Sequence, residues 1–72
     1  MWREFLLTEL GKRVREERVK RGLTQEEFGK ISGMHRTYIG AVERGEVNLT
    51  LTNLRKIVKT LNVKAKKLLD DL

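Results

Sequence analysis

The chain has 72 residues, with sixteen Lys and Arg against ten Asp and Glu, a formal charge of +6 and no cysteine. A chain this short forms one domain, residues 1–72, whose small core needs tight helix packing or a partner subunit for stability. With one histidine and no thiol, disulfides and metal sites are excluded and no cofactor is expected; the longest apolar run, Phe5-Leu6-Leu7, spans no membrane, and the absence of a signal-peptide run at the N-terminus fits the cytoplasm.

The positive excess is uneven. Residues 1–34 carry eight basic and six acidic side chains, residues 35–72 eight and four. Phosphates, anionic lipids and acidic proteins are the partner classes such a charge attracts.

No proline interrupts the chain, and β-branched residues never alternate. Gly22, Gly33 and Gly45 fall where apolar periodic segments end, as helix C-caps do. The pattern predicts an all-α fold of five short helices. The first covers residues 3–21, with Leu7, Leu10, Val14 and Arg18 on one stripe. An arginine at the end of an apolar stripe demands a partner. Trp2 and Phe5 are expected to cover the core or a dimer edge. The second helix opens on Thr24-Gln25-Glu26-Glu27, a capping box, with Leu23 and Phe28 placed as a hydrophobic staple. It should end near Ser32. The third covers residues 36–44, Ile39 and Val42 facing inward and Arg36, Thr37, Gly40 and Ala41 outward. Thr50 caps the fourth, whose apolar face is Leu51, Leu54, Ile57, Val58 and Leu61. A last helix over residues 64–71 carries Leu68, Leu69 and Leu72.

Residues 24–45 are the centre of the functional reading. A capped eight-residue helix, a turn containing Gly33 and a second short helix can cross steeply and project the second helix outward. Such a helix fits a major groove about 12 Å wide. Gly29 is small enough for the second helix to approach the first closely. The projecting end presents His35, Arg36, Thr37 and Tyr38, and a helix N-terminus itself attracts phosphate. His35 also stands where an N-cap would.

Thr24-Gln25-Glu26-Glu27-Phe28-Gly29, then Gly33, Arg36-Thr37-Tyr38-Ile39 and Glu43-Arg44-Gly45, together resemble the phage-repressor (Cro/CI, XRE-like) helix-turn-helix family. His35 to Ile39 with Val42 to Gly45 and Asn48 is similar to the controller proteins of bacterial restriction-modification systems. The resemblance covers residues 7–70. It implies a five-helix, lambda-repressor-like DNA-binding domain with a central helix-turn-helix, acting as a transcriptional regulator on double-stranded DNA. Gln25 would bind a phosphate, Arg36 and Thr37 would read bases, and Tyr38 would contact backbone or a thymine methyl. Ala41 lies on the same face, and Arg44 and Asn48 would sit near flanking phosphates. Arg18 and Glu43 match a buried ion pair, which accounts for the arginine on the apolar stripe. The resemblance also implies a homodimer, with Leu49, Val63, Leu68 and Leu69 at or near its interface, and no small-molecule effector. Two positions depart from the pattern. Val47 stands where controller relatives often place arginine, and Ser32 where a larger apolar residue is common.

The remaining motifs carry less. Lys64, Lys66 and Lys67 read as a solvated helix face before a phosphate clamp, and Asn48-Leu49-Thr50 is no glycosylation acceptor without a signal peptide. An enzyme reading lacks a nucleophile-base-acid set and a phosphate loop. The competing reading is a protein-gripping module of the same fold, an antitoxin or an adaptor. Steep salt dependence of duplex binding separates the two.

Overall fold

A computed structural model describes residues 2–72. It folds into α1 (Trp2–Lys20), α2 (Gln25–Ser32), α3 (Arg36–Glu43), α4 (Leu51–Leu61) and α5 (Ala65–Leu69), with no strand among the described residues. The expected helix limits hold within a residue except at α5. There the backbone turns extended at Asp70 and left-handed at Asp71, ending the helix two residues early.

The caps explain why the chain breaks where it does. The Thr24 hydroxyl accepts from the Glu27 amide at 3.0 Å, and the Glu27 carboxylate accepts from the Thr24 amide at 2.8 Å. These bonds satisfy two of the amides that a helix start leaves unpaired. Thr50 caps α4 by accepting from the Asn53 amide at 3.1 Å. Gly22, Gly33 and Gly45 all take positive φ, where a side chain would be strained.

One core joins all five helices. It contains Leu10 and Val14 of α1, Phe28 of α2, Ile39 and Val42 of α3, Ile57 and Leu61 of α4, and Leu68 of α5. Truncating a buried Phe such as Phe28 costs about 3–5 kcal/mol, close to the whole stability of a small domain at about 5 kcal/mol. Two glycines set the spacing. A Cβ on Gly29 would collide with the Met34 carbonyl oxygen and crowd the Arg36 amide, so α2 lies close against both the turn and the first residue of α3. A Cβ on Gly11 would collide with the Val42 carbonyl oxygen. That approach brings α1 against the end of α3, and nothing in the sequence pattern announced it.

Short α5 is held on α1 by polar contacts. Arg13 Nη1 donates to the carbonyl oxygens of Leu68 and Asp70. The buried Glu17 carboxylate meets Arg21 at 2.8 Å, Lys20 at 3.3 Å and, from α5, Lys67 at 3.4 Å. The Arg21 hydrogen bond, then Lys20 and Lys67, hold its pKa below the usual 4.5 against the opposing effect of burial.

Several expectations need correction. Trp2 and Phe5 are exposed and cover no core, which leaves the dimer edge of the two expected places. Leu51, placed on the apolar face of α4, is the first residue of that helix and is 82% exposed. Ser32, where a larger apolar residue is common, is buried, and its hydroxyl donates to the Gly29 carbonyl at 3.3 Å. Val47 packs against the core.

Candidate nucleic-acid interface

The interface is built on α2, the turn at residues 33–35 and α3. His35 is the N-cap of α3, its Nδ1 accepting from the Thr37 amide at 3.0 Å. An accepting Nδ1 carries no proton, so the ring donates from Nε2. Arg36 and Thr37, in the first turn of α3, are both exposed. Ala41, one turn beyond Thr37 on the same stripe, is half-buried.

Tyr38 belongs to both core and surface. Its ring packs against the core, and its hydroxyl accepts from Asn53 Nδ2 of α4 at 3.0 Å. The phenolic proton stays available to donate outward. Asn53 was missed by sequence reasoning, since fifteen residues and a loop separate it from Tyr38. Gly40 was expected to face outward, but it is buried. The side chains of Gln25 and Arg44 close over it.

A buried pair lies beneath this surface. Arg18 Nε donates to Glu43 Oε2 at 2.6 Å, Nη2 to Oε1 at 3.0 Å, and Nη1 to the Leu23 carbonyl at 2.6 Å. The fork therefore ties α1 at once to α3 and to the entry of α2. Gln25 joins from above, its Nε2 donating to Glu43 Oε1 at 3.0 Å. One amide hydrogen of Gln25 is thus committed, and its orientation is set by the pair that holds the helices together.

The exposed cations have partners too. Arg36 Nη1 lies 3.4 Å from Glu26 Oε1, and Arg44 Nε lies 3.0 Å from Glu46 Oε2. The hydrogen bond to Glu46 raises the Arg44 pKa further. Glu26 and Glu46 were not singled out from the sequence. Helical spacing pairs neighbours within one helix, and both contacts cross a turn. Asn48 is exposed in the loop before α4. Of the expected interface leucines and valine, Leu69 is exposed and Leu49 and Val63 are half-buried. Leu68 is fully buried in the chain's own core and cannot be a surface contact; α5 rotates it inward toward α1 and α4. One open apolar groove, of about 370 Å³, is lined by Leu6, Leu7, Leu10, Leu49, Leu69 and Leu72 and so holds two of the expected residues; another, of about 390 Å³, is lined by Leu51, Thr52, Leu54, Arg55, Val58 and Ala65.

Two short helices, α2 and α3, joined by a three-residue turn and pinned by the Arg18–Glu43 pair, with Arg36 exposed at the start of the second, are the architecture of a helix-turn-helix DNA-binding protein. The family described as "Helix-turn-helix" (HTH_3) matches residues 14–68; the chain belongs to it and is a DNA-binding transcription regulator. It is similar to the control protein C.SmaI of Serratia marcescens, 50% identical over 60 residues covering 83% of this chain and 71% of the relative. The control protein C.BamHI of Bacillus amyloliquefaciens is 44% identical over 61 residues, 83% of this chain and 75% of the relative. The crystal structure of the restriction-modification controller protein C.AhdI from Aeromonas hydrophila matches with a TM-score of 0.84 at 40% identity, over 86% of this chain and 94% of that one. No helix among the described residues is long and apolar enough to cross a membrane.

Proposed function

We propose that this chain is a controller-type regulator that binds a pseudo-palindromic duplex site as a homodimer in the cytoplasm, with no catalytic activity and no small-molecule effector. The observation that carries the reading is the exposed first turn of α3, with Arg36 and Thr37 standing on a frame clamped by Arg18 and Glu43. Arg36 and Thr37 read base edges, and Ala41 extends that face toward a thymine methyl. His35 Nε2 and the Tyr38 hydroxyl donate to the DNA. The second amide hydrogen of Gln25 binds a phosphate, with Arg44 and Asn48 on flanking phosphates.

One recognition helix reads too few base pairs to find a genomic site against its competitors. A two-fold dimer doubles the reading and sets half-sites about 34 Å apart. The exposed Leu51, the groove behind it, Leu69 and the half-buried Leu49 and Val63 supply the apolar surface for a twin, with Leu68 supporting α5 from beneath.

Sedimentation equilibrium with a duplex titration tests this. The dimer reading expects a concentration-dependent dimer and sigmoidal binding that tightens as salt falls. Leu51→Asp should leave a folded monomer. A wild-type monomer binding a half-site without cooperativity would rule the dimer out, and binding to no duplex would favour a protein-gripping module.

A further inference from the structure

We propose that Glu26 is a specificity-determining residue: its carboxylate holds Arg36 aimed at a base edge and disfavours binding through phosphates alone. The proposal rests on the reading of Arg36 as a base contact. Glu26 Oε1 stands 3.4 Å from Arg36 Nη1, and its Oε2 stands 3.8 Å from Lys30 Nζ. These side chains, with Met34 and His35, line a cleft of about 340 Å³ between α2 and the start of α3. The Arg36 and Glu26 side chains are both exposed, 63% and 54%, so the pair contributes little to folding. Its consequence lies in the complex.

An arginine has five N–H donors, and Glu26 occupies one side of the fork. A guanine edge in the major groove accepts from the donors that remain, so Arg36 can read it while keeping Glu26. A phosphate is a different competitor. Every duplex offers one per about 1.7 Å of axis, and an unrestrained arginine would swing to the nearest. To do so, Arg36 must leave Glu26. The carboxylate then faces DNA with only Lys30 at 3.8 Å to balance it. Water leaves the interface on binding, which strengthens the attraction that is lost and the repulsion that appears. The base-reading mode therefore keeps the pair, and the phosphate-only mode breaks it.

Glu46 provides the internal comparison. It holds Arg44 at 3.0 Å in an equally exposed pair, but at the far end of α3 from the first turn. There it opposes all duplexes alike.

The test titrates a duplex selected from a random pool and a scrambled duplex of equal length, at one salt concentration. The proteins are wild type, Glu26→Gln, Glu46→Gln, Arg36→Ala and the Glu26→Gln/Arg36→Ala double variant. The proposal expects Glu26→Gln to lower the selected-to-scrambled affinity ratio by up to about fivefold, chiefly through tighter scrambled binding. Glu46→Gln should tighten both duplexes and leave the ratio alone. In the Arg36→Ala background, Glu26→Gln should leave the ratio unchanged. If Arg36→Ala collapses the ratio while Glu26→Gln does not move it, the role of Glu26 is overturned and the base contact survives. An Arg36→Ala variant with an undiminished ratio overturns both.

Discussion

Arg18 and Arg36 each meet a glutamate from another helix, Arg18 with Glu43 at 2.6 Å and Arg36 with Glu26 at 3.4 Å. The first side chain is 10% exposed and its fork is closed by two carboxylate oxygens and a carbonyl. The second is 63% exposed and uses one donor. Burial decides what each pair is for. Water cannot replace Glu43, so breaking that pair strands a charge and loosens three helices. Water can replace much of what Glu26 offers Arg36, so that pair orients a side chain and contributes little to the fold. A structural pair and an orienting pair thus sit at opposite ends of α3, and the recognition surface is firm because the first does not yield.

The largest expected effect follows from the buried pair. Glu43→Gln leaves Arg18 buried without its counter-charge and weakens the bond to Gln25, costing about 3–5 kcal/mol. Urea denaturation measures it, and a variant within a few tenths of a kcal/mol of wild type would erase the contrast. Arg36→Ala should melt like wild type while losing about 1–3 kcal/mol of binding to the selected site and relaxing one base position. Destabilisation without loss of specificity would invert the assignment. Gln25→Ala lies between the regions. It should weaken every duplex by a similar factor, since a phosphate contact carries no sequence information, and should lower stability slightly through Glu43. A change of sequence preference would make Gln25 a reader.

Acid provides the smallest and most graded test. Arg21 holds the pKa of buried Glu17 down, and the Thr24 amide does the same for Glu27 in the capping box. A carboxylate whose folded pKa is depressed stabilises the fold fully above its unfolded value. That contribution is lost as pH falls through the lower folded value. Stability should therefore be flat above about pH 5 and decline below the usual 4.5. Arg21→Met should make the decline shallower. Urea midpoints across this range read it, and an unchanged slope in that variant would show that Glu17 does not set the acid response.

The helices were legible because their signals are local. Thr24 and Glu27 are three residues apart, and three glycines mark the turns. The Arg18–Glu43 partnership came through family resemblance; its spacing of twenty-five residues shows in no periodicity. Contacts that depend on how elements stack were not legible: Gly11 beneath α3, Asn53 under Tyr38, and Gly40 covered by Gln25 and Arg44. Leu68 was misassigned for the same reason. Hydrophobicity says that a leucine seeks burial, but not which of several leucines faces a neighbouring helix and which is left for a partner.

The most direct test of where DNA is read is a backbone amide map of the protein titrated with a duplex selected from a random pool. A recognition surface centred on the first turn of α3 predicts the largest shifts at Gln25, His35 to Tyr38, Ala41, Arg44 and Asn48. The frame at Arg18 and Glu43 should stay almost still. Shifts centred on Lys64, Lys66 and Lys67, with the first turn of α3 unmoved, would contradict it and place the DNA on α5.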